Sequence, residues 1–182
     1  MTEMKHIHVC ALGGTIAMSS NAAASTAGVK PVLTGDDLLA AVPEIADIAI
    51  VSAETLTNQG SANLTFEIAK TVIRHCRNER ASGVDGFVVT QGTDTMEEMS
   101  FLLSLLWDID APLVVTGAMI NPSQADTDGP RNLKQAVSAA RTLEQGVYVL
   151  MNERFHDPLL IRKAHASDVD AFQRGGEGIG FM

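Results

Sequence analysis

Short, nearly continuous runs of apolar residues recur along this chain, separated by polar and glycine-containing segments. Five such runs occur, at Ile7–Leu12, Ile48–Ser52, Phe87–Thr90, Pro112–Thr116 and Val147–Asn152. An apolar run without polar alternation is typical of a strand buried on both faces, as in a parallel sheet. The pattern therefore predicts five buried strands.

Segments of helical character lie between these runs. They are predicted at Gly35–Val42, Leu64–Arg80, Met96–Trp107 and Asn132–Leu143. The alternation of strands and helices predicts an α/β fold, with a doubly wound, mostly parallel sheet flanked by helices. The alternation stops after Asn152, where Glu153–Lys163 indicates an irregular C-terminal β-hairpin region. Two long connections, Thr57–Thr65 and Gly117–Arg131, are predicted as loops.

The end of the third strand leads into a turn rich in hydroxyl groups. Gly92 allows the backbone to bend there, and Thr93, Asp94 and Thr95 are expected to cap the helix that follows. In an open α/β sheet, ligands bind beyond the carboxyl ends of the strands. The turn therefore marks either a ligand site or only a well-capped helix.

Three hydroxyl-bearing residues, Thr15, Ser61 and Thr93, lie in loops that follow predicted strands. If the strands are parallel, these loops lie on one edge of the sheet together with Asp94, and Lys163 can reach back to it. A threonine hydroxyl is a weak nucleophile until a base or a cation activates it. A lysine held beside an aspartate suits that task.

The composition narrows the class of protein. The chain has 182 residues, of which 46% are hydrophobic, enough for one folded domain. Its formal net charge of −9 argues against nucleic acid as the main partner. No run of apolar residues is long enough to span a membrane. The N-terminal segment lacks the apolar core of a signal peptide, which favours the cytoplasm.

Cysteine and histidine usage predicts no metal centre. Cys10 falls in a predicted buried strand and Cys76 in a helix, so both are expected to stay reduced. The five histidines are scattered, and none pairs with a cysteine or carboxylate at metal-ligand spacing. His75 is expected to be a surface or helix-capping residue. No cofactor is predicted.

The loop after the first strand is rich in glycine. Its sequence, Gly13-Gly14-Thr15-Ile16-Ala17, is not the G-x-G-x-x-G fingerprint of dinucleotide-binding proteins, so a nucleotide-binding module is not supported. The pair of glycines indicates either a plain turn or a loop that approaches a ligand closely. The next segment, Met18–Lys30, consists largely of small and polar residues and is typical of a mobile flap.

Several of these segments resemble one known family. Leu12-Gly13-Gly14-Thr15-Ile16-Ala17 and Thr90-Gln91-Gly92-Thr93-Asp94-Thr95-Met96-Glu97-Glu98 resemble the two signatures of the bacterial-type L-asparaginase/glutaminase family. The supporting blocks are Thr116-Gly117-Ala118-Met119, Asp128-Gly129-Pro130-Arg131-Asn132-Leu133, Val149-Leu150-Met151-Asn152 and Arg162-Lys163-Ala164-His165. The blocks follow the family order, with family-like spacing from residue 6 to 182.

The resemblance implies hydrolysis of L-asparagine to L-aspartate and ammonia, with weaker activity on L-glutamine. Thr15 matches the family's nucleophile. Thr93, Lys163 and Asp94 match its second Thr-Lys-Asp group, in which the threonine positions or activates water. Asp94 also matches the group that binds the substrate α-amino group, and Ser61 matches the serine that binds the α-carboxylate. The resemblance further places the following residues at the substrate: Ala62, Gly92 and Ala118.

The sequence departs from the family pattern at three positions. Ser25, before Thr26 in the flap, stands where many members carry a tyrosine that supports the nucleophile. Ala62 stands where an acidic or amide residue is common, so one contact to the substrate ammonium group is missing. Gln91 replaces a common histidine, which is expected to have a mild effect. These changes bear on rate and substrate choice more than on fold.

Length is the largest departure from the family. The resemblance implies that residues 1–182 correspond to the family's N-terminal catalytic domain, and we expect its smaller C-terminal domain to be absent from this chain. In the family that domain helps to close the active site of a neighbouring protomer, so a homodimer or homotetramer is implied. The missing domain, with the changes at Ser25 and Ala62, motivates an alternative: a non-catalytic domain that binds asparagine, aspartate or a related amino acid.

Overall fold

The computed structural model describes residues 4–18 and 33–175. Most of the predicted flap, including Ser25 and Thr26, lies outside these residues.

A six-stranded sheet forms the centre of the described chain. Its strands are β1 (His6–Gly13), β2 (Ile50–Gln59), β3 (Gly86–Thr90), β4 (Pro112–Thr116), β5 (Gly146–Met151) and β6 (Arg154–His156). The strand order is β2-β1-β3-β4-β5-β6. All neighbouring pairs are parallel except β5 and β6. The predicted doubly wound, mostly parallel sheet is confirmed.

Helices cover both faces of the sheet. They are α1 (Gly35–Ala40), α2 (Phe66–Ala81), α3 (Met96–Leu106) and α4 (Gly129–Ala140). Side chains of α2 and α3 pack against one face in a first hydrophobic core, and side chains of α1 and α4 pack against the other face in a second core. Since β3 and β4 are buried on both faces, their sequences are continuous apolar runs.

The second strand differs from the prediction. β2 begins at Ile50 and continues to Gln59, through part of the segment predicted as the loop Thr57–Thr65. It is an edge strand paired with β1, and its residues are partly exposed. Polar side chains are therefore tolerated along it, and the apolar pattern ends before the strand does.

Helix α3 begins at Met96 as predicted but without the predicted cap, and the starts of α2 and α4 differ from the prediction. Thr93, Asp94 and Thr95 form a 3₁₀ turn, and no side chain caps α3. The Thr95 hydroxyl instead donates to the Ser61 carbonyl, at 2.9 Å. Helix α4 begins at Gly129, three residues before the predicted Asn132, with a proline in its first turn. Proline is well suited to a first turn because its missing N–H has no helical partner there.

The C-terminal region contains antiparallel strands, as predicted, but not as one hairpin within Glu153–Lys163. β6 pairs with β5 and extends the main sheet. Two further strands, β7 (Ile161–Lys163) and β8 (Phe172–Arg174), form a separate two-stranded sheet. Ile161 and Phe172 are buried in the first core, so this small sheet is anchored to the domain.

Among the residues that the structure describes, no helix combines the length and the apolar character needed to cross a membrane.

Candidate active site

The strand order reverses between β1 and β3, because the chain moves from β1 outward to β2 and then returns to the other side of β1. Ligands of doubly wound sheets bind at such a reversal, beyond the carboxyl ends of the strands. One residue separates Thr15 from the end of β1, and two residues separate Thr93 from the end of β3. Ser61 follows β2, and Ala118 follows β4. The four loops are thus neighbours along one edge of the sheet.

The loops after β1 and β3 touch through their backbones at two glycines. A side chain at Gly14 would run into the main chain of Gly92, and a Cβ at Gly92 would lie 2.9 Å from the Ser61 hydroxyl and 3.2 Å from the Gly14 Cα. Gly14 also adopts φ 82° and ψ −171°, which is a glycine conformation. The close packing fixes where Thr15 and Thr93 begin their turns.

Lys163 joins two of the predicted site residues. Its ammonium group donates to the Thr93 hydroxyl at 2.9 Å and to the Asp94 carboxylate at 2.6 Å. Thr93 is only 6% exposed. The Lys163 side chain is 12% exposed, whereas that of Asp94 is 74% exposed. The group therefore runs from a buried hydroxyl to a carboxylate that is open to a ligand.

The position of Lys163 depends on the small C-terminal sheet. Lys163 ends β7 and is paired with Phe172 of β8. Its backbone N–H donates to the Glu97 carboxylate at 2.7 Å, which ties β7 to the first turn of α3. The sequence pattern marks Glu97 only as a residue that suits the start of a helix, and it contains no signal for this second role.

Ser61 lies beside the Thr93 turn. It begins a 3₁₀ turn, Ser61–Asn63, and is buried. Its hydroxyl accepts a hydrogen bond from the Asp94 backbone N–H at 3.2 Å. The neighbouring Ala62 is exposed. The structure therefore brings Ser61 next to Asp94, as the sequence predicted for residues on the same edge.

Thr15 begins a 3₁₀ turn, Thr15–Ala17, directly after β1 and Gly14. Thr15 is half-buried, while Ile16 and Ala17 are buried in the second core. The two apolar residues anchor the turn, and the threonine is left partly exposed at the edge of the sheet.

The loop after β4 is held by a buried aspartate. Asp128 is 2% exposed and accepts hydrogen bonds from the backbone N–H groups of Met119 and Ile120, at 3.0 Å and 2.9 Å. It also accepts one from the Asn132 amide at 3.1 Å. Ala118 is fully buried in the second core. The anchoring role of Asp128 was not predicted.

The arrangement suits proton transfer at a carbonyl centre. A lysine nitrogen in contact with a hydroxyl can exchange a proton with it, and the neighbouring carboxylate balances the charge when the lysine is protonated. Backbone N–H groups of the turns at Thr15 and Thr93 lie at the same edge and can face a developing oxyanion.

Known proteins are similar to this chain over most of its length. Residues 6–179 match the family model described as "Asparaginase, N-terminal". L-asparaginase 2 of Bacillus subtilis is 36% identical over 185 residues, which cover 99% of this chain and 49% of that protein. One of the subunits of the glutamyl-tRNA(Gln) amidotransferase of Methanococcus maripaludis is 33% identical over 182 residues, covering 96% of this chain and 43% of the relative.

A solved structure is similar as well. The probable cytoplasmic L-asparaginase of Campylobacter jejuni superposes with a TM-score of 0.84 at 36% identity, covering 93% of this chain and 53% of that one. The chain thus spans about half the length of the relatives it matches.

Proposed function

Because this chain belongs to the asparaginase family, whose N-terminal domain it matches, we propose that it hydrolyses the side-chain amide of L-asparagine to L-aspartate and ammonia, with weaker activity on L-glutamine. The observation that carries the proposal is the contact of Lys163 with both Thr93 and Asp94. We assign residues 1–182 to the catalytic N-terminal domain of the family.

The proposed reaction has two steps. The Thr15 hydroxyl attacks the amide carbon and forms a tetrahedral intermediate. The hydroxyl proton passes to the amide nitrogen, ammonia leaves, and an ester of Thr15 remains. Water then attacks the ester and releases L-aspartate and free Thr15. Thr93 positions this water. The neutral amine of Lys163 takes a proton from the water through the Thr93 hydroxyl, the proton then passes to the Thr15 oxygen as the ester opens, and Asp94 holds the lysine in place.

Substrate binding is assigned to residues at the same edge of the sheet. The exposed Asp94 carboxylate binds the α-amino group, and Ser61 binds the α-carboxylate. Gly92 and Ala118 are assigned to contact the substrate through backbone atoms. Ala62 offers no charged group to the substrate ammonium group. Asn63 or a partner group takes the place of that missing contact. Ser25 and Thr26 are assigned to the flap, which lies outside the described residues.

The similarity to an amidotransferase supports a second candidate function. In this alternative the domain releases ammonia from an amide for a partner protein. The relative at 33% identity motivates it. The net charge of −9 does not favour direct binding of tRNA by this domain, because phosphate contacts require basic surfaces. The two candidates differ in the amide substrate: the first predicts preference for L-asparagine.

The proposed compartment is the cytoplasm, and the proposed assembly is a homodimer or homotetramer. The cytoplasmic compartment is supported by the description of the similar Campylobacter jejuni structure as probable cytoplasmic.

The proposed assembly is supported by a group of exposed apolar side chains on one surface: Leu105, Phe155 and Leu159. Exposed apolar patches mark association surfaces.

Ammonia release tests the proposed activity. The wild-type chain, Thr15→Ala and Thr142→Ala are incubated with L-asparagine and with L-glutamine. Thr142 is exposed and its hydroxyl bonds to carbonyl groups of α4, so its variant is the matched control. We expect release by the wild type and by Thr142→Ala, and a loss of at least about 100-fold in Thr15→Ala.

Two results would contradict the proposal. Unchanged release by Thr15→Ala would remove Thr15 as the nucleophile. Stabilisation of the wild type by L-asparagine or L-aspartate, without any ammonia release, would instead support the non-catalytic amino-acid-binding domain. A clear preference for L-glutamine would favour the second candidate.

A further inference from the structure

Two histidines and a cysteine, separated in sequence, meet beneath helix α2. His8 and Cys10 lie on the same face of β1, because side chains two residues apart in a strand point to the same side. His75 approaches this face from α2. One ligand atom of each residue lies within 4.8 Å of the others. The expectation that the histidines are scattered and that His75 is a surface or cap residue is therefore wrong.

The two imidazole rings face each other with their nitrogens in contact. The Nε2 atoms of His8 and His75 are 2.9 Å apart. At this distance one ring donates its N–H to the nitrogen of the other ring, so both Nε2 atoms are directed at the same point. The contact therefore places two potential metal ligands around one point.

A hydroxyl group orients the ring of His8. The Nδ1 atom of His8 lies 2.8 Å from the Ser52 hydroxyl, which is also 2.7 Å from the Nε2 of His6. If Nδ1 of His8 donates to Ser52, then Ser52 donates to His6, and the Nε2 lone pair of His8 is directed at His75. Metal-binding histidines are commonly fixed by such a hydrogen bond from the second ring nitrogen.

The surroundings favour a positive ion. His8 and Cys10 are buried, at 4% and 0% exposed. The Glu54 carboxylate lies 3.9 Å from the Nε2 of His75, and its residue is paired with Cys10 across β1 and β2. A carboxylate at the open side of a buried nitrogen and sulfur cluster balances the charge of a divalent ion.

We propose that His8, Cys10 and His75 form a zinc site, with Nε2, Sγ and Nε2 as ligands and a fourth position that faces Glu54. Imidazole and thiolate ligands suit Zn²⁺, whereas Mg²⁺ and Ca²⁺ prefer oxygen. At Zn–N distances of roughly 2.0–2.1 Å, tetrahedral ligand nitrogens lie about 3.3 Å apart, so the two rings need to separate by only about 0.4 Å.

The site would join three elements that lead to the catalytic cleft. β1 ends before Thr15, β2 ends before Ser61, and α2 follows the Ser61 turn. The metal would hold these elements together on the face of the sheet that α2 covers, several residues away from the residues assigned to the reaction. Its role is therefore structural, and its binding can be measured without an activity assay.

Titration of the whole chain with Co²⁺ and Zn²⁺ under reducing conditions tests the proposal. Cobalt gives a thiolate-to-metal absorption band, and zinc affinity follows from displacement of cobalt. We expect one ion per chain, a thermal midpoint that rises with Zn²⁺ but not with Mg²⁺, and affinity at least about tenfold weaker in Cys10→Ser and His75→Gln.

Variants of other cysteine and histidine residues are the matched controls for the proposed ligands. Cys76, whose Sγ lies 3.8 Å from that of Cys10, is a buried cysteine outside the proposed ligand set, and His165 is an exposed histidine. Cys76→Ser and His165→Gln should bind as the wild type does. Ser52→Ala should bind about tenfold more weakly, because His8 loses its orienting partner.

Three results would overturn the proposal. The first is the absence of a cobalt band in the reduced wild type. The second is equal metal affinity of the wild type and His75→Gln. His75 is half-buried, so thermal unfolding of the metal-free variant checks that it is folded. The third is a Cys10–Cys76 disulfide that persists under reducing conditions and leaves no ion bound, which mass spectrometry would detect.

Discussion

At the scale of single residues, Gly14 shows how the site is built from backbone contacts. Its conformation is one that residues with side chains rarely adopt, and its Cα packs on the main chain of Gly92. The proposed nucleophile, Thr15, is the next residue. A change at Gly14 therefore alters both the fold and the separation of the two hydroxyl-bearing turns.

Replacement of Gly14 by alanine should lower the free energy of unfolding by more than about 3 kcal/mol, because strain and a backbone clash combine. Two glycines serve as controls in urea unfolding. Gly83 has φ +101° with open space around it, so Gly83→Ala should cost only about 1–2 kcal/mol. Gly60→Ala, with neither strain nor contacts, should change stability by less than about 1 kcal/mol.

These controls separate the two causes. If Gly14→Ala costs no more than Gly83→Ala, then conformational strain explains the whole effect. The close packing of the β1 and β3 loops would then not be what constrains this position.

At the scale of elements, the apolar runs correctly predicted those strands that are buried on both faces of the sheet. β1, β3, β4 and β5 were located to within about one residue, since their patterns depend on burial alone. β2 was not, because an exposed edge strand keeps polar residues. The cap of α3 could not be predicted either, because the Thr95 hydroxyl donates to the Ser61 carbonyl, a tertiary contact.

The loop between β4 and α4 depends on one carboxylate. Asp128→Asn replaces an acceptor of several N–H groups by an amide that presents its own N–H₂, so we expect a loss of roughly 1–3 kcal/mol in the free energy of unfolding. Asp126→Asn, an exposed aspartate in the same loop, should change it by less than about 0.5 kcal/mol. Equal effects of the two variants in urea unfolding would contradict the anchoring role.

At the scale of the whole molecule, long-range contacts limit what the sequence can predict. Contacts between Lys163 and Thr93 and between His8 and His75 join residues about 70 positions apart. Local periodicity carries no information on such pairs. The first was expected from family resemblance and from the shared sheet edge. The second was missed because, although His8 and Cys10 are two residues apart in β1, nothing in the local sequence places His75 beside them.

Association is a property of the whole surface. Leu105→Lys combined with Phe155→Lys places charges in the exposed apolar patch around Leu159, so we expect the proposed dimer or tetramer to dissociate to monomer. Light scattering after size-exclusion chromatography measures the mass. Phe66→Lys, at an equally exposed phenylalanine on α2, should leave the assembly unchanged. Loss of assembly in the Phe66 variant alone would place the interface at α2 and not at this patch. A monomeric wild type would contradict the proposed assembly.

The most direct test of the proposed mechanism compares ammonia release from L-asparagine by the wild type, Lys163→Met and Arg162→Met. Methionine keeps an unbranched apolar stem but removes the group that contacts Thr93 and Asp94. Arg162, the exposed cation next to it in β7, is the matched control. We predict that kcat falls by at least about 100-fold in Lys163→Met and changes less than about twofold in Arg162→Met. Equal rates in Lys163→Met and the wild type, with both folded, would contradict this mechanism.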